Sequence, residues 1–198
     1  MKSLNPSLAF AFALTVLGGT ASAAELMADA APMQQVSDAE EVDGSSVLIR
    51  NDDGIAVTAN TRHLKRNRPY TMWWVIFNNP EKCDASCGCG INDLANPDVE
   101  AGVFWATGRV TDRYGAATFT AETRVGEIPG GDDQVMEPFI NPLLDSHDAE
   151  VHTVIRSHGK LRRGKLEQQL TTLNGGCRVE CTDVQFSIHP SPTCKPVS

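Results

Sequence analysis

From Val47 onward the chain alternates apolar and polar positions in short stretches separated by Gly, Pro, Asn and Asp, and this two-residue period predicts strands. Val47 to Arg50 and Ile55 to Asn60 flank Asn51-Asp52-Asp53-Gly54, residues that tolerate the backbone of a tight hairpin, so the two stretches are predicted to pair antiparallel. After Pro69, the run Tyr70 to Phe77 (YTMWWVIF) is apolar on both period-2 faces, which predicts a central strand buried on both sides. Ala101 to Val110 and Ala116 to Thr123 bracket a turn at Asp112 to Gly115 and are expected to form a second hairpin. Glu150 to His158 and Asp183 to His189 complete the strands. In the last of them Val184, Phe186 and Ile188 share one face while Gln185, Ser187 and His189 share the other, so one face is expected in the core and the other wet or lining a site.

Helix is scarce. Ile91 to Ala95 could make one turn, and Lys165 to Leu173 places Leu166, Leu170 and Leu173 at helical spacing before the stop at Gly175-Gly176. Many short strands with frequent turns predict an all-β fold: a single antiparallel two-sheet β-sandwich, immunoglobulin-like in general architecture, with one short helix. A closed β-barrel is the alternative.

The first 23 residues follow a different pattern. Lys2 precedes a nearly continuous apolar run, Leu8 to Leu17, too short to span a bilayer, and Ala21-Ser22-Ala23 presents the small residues a signal peptidase reads. Residues 1–23 are therefore expected to be a signal peptide cleaved after Ala23, which places the mature protein in a periplasm or outside the cell. No cysteine stands near that site to accept a lipid, and no later apolar run reaches spanning length, so neither a lipid anchor nor a membrane span is expected.

Charge changes the picture again. The net charge is −8, but Glu25, Asp29, Asp38, Glu40, Glu41 and Asp43 crowd the stretch after the cleavage site with no basic residue among them. That stretch, Ala24 to Ser46, is expected to be a disordered acidic leader, with the sandwich domain occupying 47–198. Within the domain, basic residues gather at Arg62, Lys65, Arg66 and Arg68 and again at Arg156, Lys160, Arg162, Arg163 and Lys165. With an acidic balance and neither a helix-turn-helix nor a finger pattern, nucleic acid is not an expected partner.

The string YTMWWVIFNNPEKC from Tyr70 to Cys83, with Arg156-Ser157-His158-Gly159 and Gly175-Gly176-Cys177, resembles a group of secreted proteins of uncharacterised function that share the phrases YTxWWxxFNNP, RSHG and GGC. The resemblance runs from about Ser45 to His189. It implies a single exported domain and carries over no catalytic residue.

Cys83, Cys87, Cys89, Cys177, Cys181 and Cys194 in an oxidising compartment are expected to form three disulfides, in any of about 15 connectivities. A zinc site on Cys83, Cys87 and Cys89 is disfavoured because exported thiols oxidise. Cys177-x3-Cys181 has the spacing of dinuclear copper sites, but Gln185 stands where those place histidine. The sharper constellation is Glu150 and His152, on one face of a predicted strand with Arg156 and His158. The two histidines, six residues apart at roughly 3.3 Å each, lie about 20 Å from one another, too far to share an ion. His152 with Glu150 could still hold zinc or copper if His63, His147 or His189 joined them. No cofactor is otherwise expected.

No Gly-x-Ser-x-Gly elbow occurs, and Ser157 and His158, as strand neighbours, face opposite sides. Asp93, Asp98 and Asp145 are scattered loop acids, and no catalytic set is legible. The expectation is a secreted, non-catalytic binding module for a protein or small-molecule ligand, with loops 78–96 and 127–148 as contact surface and Phe139 and Asp145 as binding residues. The alternative is a metal-binding protein or metal-dependent enzyme centred on His152.

Overall fold

The computed structural model describes residues 26–85, 87–128, 131–179 and 181–194; the expected signal peptide lies outside them. Nine strands follow in order: β1 Met27–Gln35, β2 Glu41–Asn51, β3 Gly54–Thr61, β4 Pro69–Phe77, β5 Ala101–Val110, β6 Ala117–Arg124, β7 Val135–Ile140, β8 Glu150–Ser157 and β9 Thr182–His189. The one α-helix among the described residues, α1, is Leu166–Thr171, and Ile91–Ala95 forms a 3-10 turn; both fall where sequence spacing places them.

The β2–β3 hairpin forms as expected. Asn51 closes it by accepting through Oδ1 from the backbone of Asp53 at 2.9 Å and Gly54 at 3.0 Å, the side-chain turn that makes Asn a good hairpin residue. The second expected hairpin does not form. β5 and β6 are joined by the turn at Asp112, yet β6 pairs along its whole length with β3, while β5 pairs with β4 and β7. Neighbouring backbone groups are taken by the basic loop: Leu64 N donates to Gly115 O, Asn67 N to Asp112 O, and Thr111 N to Arg68 O. Gly115 is needed here twice over, since its φ is +80° and a Cβ would sit 2.1 Å from Leu64 O.

All nine strands belong to one antiparallel sheet, in the order β6-β3-β2-β1-β9-β8-β4-β5-β7, curled into a half-barrel. This corrects the two-sheet, immunoglobulin-like sandwich, and the cause is β1. Without it the strands would fall into two blocks, β6-β3-β2 and β9-β8-β4-β5-β7. β1 stands between β2 and β9 and pairs with both, so one sheet runs through. β1 and the start of β2 come from the stretch read as a disordered leader. Its low hydrophobicity suggested disorder, but Met33 and Ala31 are buried and Met27 to Gln34 hydrogen-bond along β2, so ladder pairing supplies what composition lacks.

The core lies inside the curl, where Met33, Leu48, Val57, Trp74, Phe104 and Ile155 are all but fully buried. β4 is central and buried on both faces, as its pattern predicts. Met72, Trp74 and Ile76 point inward, while Thr71, Trp73 and Phe77 are buried on the outer face. Two covers lie on that outer face. Phe77 packs with Cys83, Cys89, Val99 and Ala101 of the long loop after β4. α1 sits over β5, where Trp105 Nε1 donates to Leu170 O at 2.9 Å and a Cβ on Gly108 would meet that carbonyl at 2.1 Å.

β9 inverts the expected arrangement. Gln185, Ser187 and His189 are buried inside the curl, whereas Val184 and Phe186 are half-buried and Ile188 is 37 % exposed outside. The three disulfides are Cys83–Cys89, Cys87–Cys194 and Cys177–Cys181.

Candidate functional site

The polar interior beside β9 begins where the backbone ladder ends. β1 and β9 pair only at Gln34 with Phe186 and Gln35 with Gln185. Further along, side chains join them. His189 Nδ1 donates to Asp29 Oδ2 at 2.5 Å, which fixes its tautomer, so Nε2 accepts from Ser46 Oγ at 2.9 Å. This is the order of a Ser-His-Asp triad on the correct nitrogens. Ser46 and His189 are, however, completely buried, so no substrate carbonyl can come within reach of Oγ. Arg50, also buried, donates through Nη1 to Ser146 O and Ala149 O and through Nη2 to His189 O and Pro190 O, with Asp29 Oδ1 3.8 Å from its Nε. Burial holds the Arg50 pKa below its ordinary value, with Asp29 opposing. The set ties β1, β2 and β9 together.

On the outer face β8 presents Glu150, His152, Val154 and Arg156 in register, as the period predicts. Glu150 and His152 do come together: His152 Nε2 is 2.7 Å from Glu150 Oε1, which also accepts from Cys89 N at 2.9 Å. Glu150 is buried and its Oε2 has no hydrogen-bond partner. The pair anchors the disulfide loop to the sheet. The other histidines do not join it: His147 pairs with Asp52, His189 with Asp29, and His63 stands in the exposed basic loop. Among the described residues no third metal donor stands with Glu150 and His152.

His152 instead lines a groove of about 160 Å³ on the outer face. Trp73, Val75, Phe77 and Val103 of β4 and β5 line it with Val154 of β8. Ile91 and Leu94 from the loop after β4, Met136 of β7 and Leu173 beyond α1 complete the apolar part. The ring of His152 packs edge-on against Phe77, centroids 5.0 Å apart. At the mouth Arg156 Nη1 donates to Asp183 Oδ1 at 2.6 Å, and Arg156 Nε to Leu173 O at 2.9 Å. Both loops expected to form a contact surface therefore contribute to this groove, through Ile91, Leu94 and Met136. Phe139 and Asp145 do not line it. Phe139 is half-buried on β7, and Asp145 accepts through Oδ1 from His147 N and Asp148 N, closing its own turn. The outward residues of β4 were the legible signal for the groove, since a strand apolar on both faces needs a cover and any gap in that cover is an apolar pocket.

The remaining grouping was not anticipated. His158, just past β8, is fully buried, and its Nδ1 lies 3.3 Å from Cys181 Sγ and 3.6 Å from Cys177 Sγ. These donor types, within 4.8 Å of one another, would suit a metal, but the sulfurs are bonded to each other. Nδ1 donates to Gly175 O at 2.9 Å, so Nε2 accepts from Thr71 Oγ1 at 2.9 Å, which in turn accepts from Trp73 Nε1 at 2.8 Å. Desolvation, partly offset by Gly175 O, lowers the His158 pKa below 6.5 and favours the neutral ring.

Compared with known proteins, the chain matches no family model, no curated protein sequence and no solved structure.

Proposed function

We propose that the chain is an exported, disulfide-bonded binding module that takes one compact apolar group, about the size of an aromatic ring, into the groove between β4, β5 and β8. Three disulfides agree with an oxidising compartment, and no helix of the described residues is long and apolar enough to cross a membrane. The observation that carries the reading is the groove itself. Ligand sites are mostly apolar concavities with a few polar groups that fix orientation, and here Trp73, Phe77, Leu94 and Val103 face His152, Arg156 and Asp183. An apolar cavity of roughly 150 Å³ holds benzene, so about 160 Å³ suits a single ring. With Nε2 given to Glu150, Nδ1 of His152 is left as an acceptor, which favours a ring bearing an O–H or N–H. No catalytic role is assigned to the groove.

Zinc or copper held around His152 has less behind it, because Glu150 Oε1 is already shared between Cys89 N and His152 and no third donor stands with them among the described residues.

Ligand-observed NMR on the mature protein tests the reading, with toluene, phenol and N-acetyl-tyrosine amide as probes. Phenol should bind more tightly than toluene, and Leu94→Asp and Ile91→Asp should each weaken phenol at least tenfold. Ile91 is 83 % exposed, so its variant keeps the fold. A preference for the tyrosine amide assigns a protein-borne ring, and a preference for phenol a free small molecule. Failure of all three probes to bind would overturn the proposal.

A further inference from the structure

The three disulfides stand in different surroundings. Cys83 and Cys89 are buried in an apolar cluster under Phe77, and Cys87–Cys194 ties residues 107 apart in sequence. Cys177–Cys181 joins residues only 4 apart. The constraint a disulfide places on the unfolded chain grows with the loop it closes, so opening this one removes the least from stability. Cys87 and Cys194 are half-buried as well, but the Cys177–Cys181 bond stands beside a basic cavity. Cys177 is half-buried and lines a surface cavity of about 630 Å³ together with His158, Lys160, Arg162 and Arg178, while Cys181 is buried behind it. Lys160, Arg162 and Arg178, which line it, are exposed. A thiolate is favoured beside cationic groups and a hydrogen-bond donor, and a basic mouth raises the local concentration of an anionic partner.

We propose that Cys177–Cys181 is an exchangeable disulfide that reacts with small anionic thiols, with Cys177 as the sulfur attacked and His158 as the group that stabilises the departing one. The thiolate of the incoming molecule attacks Cys177 Sγ, the Cys177–Cys181 bond breaks, and Cys181 leaves as a thiolate 3.3 Å from the Nδ1–H of His158. A second thiolate attacks the outer sulfur of the mixed disulfide and releases Cys177. Two small thiols are thereby oxidised to their disulfide, the protein bond gains the two electrons, and the protons lost by the small thiols are available to Cys177 and Cys181. The reverse reaction recharges the protein at the expense of the small disulfide. The site lies apart from the apolar groove and does not depend on the function proposed for it.

The environment of His158 also shapes the pH response. The ring is faced by Thr71 of β4, Gly175 and both sulfurs, with Arg156 and Asp183 near enough to act on its charge and Lys160, Arg162 and Arg178 at the mouth. Protonation is opposed by burial, so His158 serves as a neutral hydrogen-bond donor at neutral pH.

The test equilibrates the mature six-cysteine protein in glutathione buffers of graded reduced-to-oxidised ratio, alkylates free thiols, and maps them by mass spectrometry. Cys177 and Cys181 should become alkylated at ratios where Cys83, Cys87, Cys89 and Cys194 are still protected, and the glutathione adduct should sit on Cys177. The double variant Lys160→Glu, Arg178→Glu, both exposed, should slow reduction by glutathione at least tenfold while changing the rate with uncharged 2-mercaptoethanol less than threefold. Opening of Cys83–Cys89 or Cys87–Cys194 first, an adduct confined to Cys181, or equal slowing with both thiols would overturn the proposal.

Discussion

The half of the sheet around β4 and the half around β9 solve the same packing problem in opposite ways. β4 is apolar toward the core, with Met72, Trp74 and Ile76 inside, and apolar again outside, where loops and α1 cover Trp73 and Phe77. β9 turns Gln185, Ser187 and His189 inward and leaves Phe186 and Ile188 on an open face. The reason lies with their neighbours. β4 is hydrogen-bonded along its whole length to β5 and β8, so its side chains need only be apolar. β9 meets β1 over two residue pairs, and beyond them the joint is made by the side chains of Asp29, His189, Ser46 and Arg50; the inward face of β9 is tied further by Gln185 to Thr61 of β3 at 2.5 Å and by Ser187 to Thr153 of β8 at 2.7 Å. Buried polar side chains can replace a ladder only if nearly all are satisfied, and apart from Arg50 Nε each of these finds a partner.

If the polar half is held by this network, Arg50→Ala should have the largest effect. It strips four backbone carbonyls of their donor and leaves Asp29 without its buried cation. The expected loss is about 3–5 kcal/mol in urea unfolding, as for other broken buried charge contacts. A loss below about 1 kcal/mol would show that the joint is held by β1 and β9 backbone alone.

Acidification should act on the β4 half, through the neutral chain Trp73-Thr71-His158. The folded-state pKa of His158 lies below 6.5, so the unfolded chain takes up that proton first; the contribution is complete above about pH 6.5 and declines as pH falls through it. One such group changes stability by at most about 1.4 kcal/mol per pH unit. The ring-proton titration of His158 by NMR, with a midpoint below 6.5, checks the direction.

The smallest effect is the most pointed. Ile188→Thr, on the open face, should change stability by less than about 0.5 kcal/mol, whereas Ser187→Ala next to it should cost about 1 kcal/mol by leaving Thr153 Oγ1 without its partner. Under the ordinary rule of apolar inside and polar outside the order would be reversed, and paired thermal melts decide.

Much of the secondary structure was legible. The Asn51 to Gly54 hairpin, β4, β8, the span of β9 and the turn at Ile91 all follow from local period and turn chemistry. The misses share a cause. β1 has too few apolar residues to announce itself, and only pairing with β2 makes it a strand. The sandwich expectation failed with it, because β1 is what joins the two blocks into one sheet. At the site, Glu150 and His152 were placed on one face correctly, but Cys89 N, which donates to Glu150 Oε1, arrives from 61 residues away. His158 with Cys177 and Cys181 was invisible for the same reason: a histidine and a cysteine pair separated by a helix carry no joint periodic signal.

The sequence by itself determined the positions of the β2–β3 hairpin, β4, β5, β6, β8 and β9, that six cysteines form three bridges, and that β4 must be covered on both sides, because each depends on neighbours a few residues away or on composition. Only the tertiary structure decided which strands pair, that β9 turns its polar face inward, which cysteines join, and that His152 lines a groove while His158 backs a disulfide. Those outcomes depend on contacts between distant segments, where one strand inserted between two others changes the surroundings of every side chain beside it.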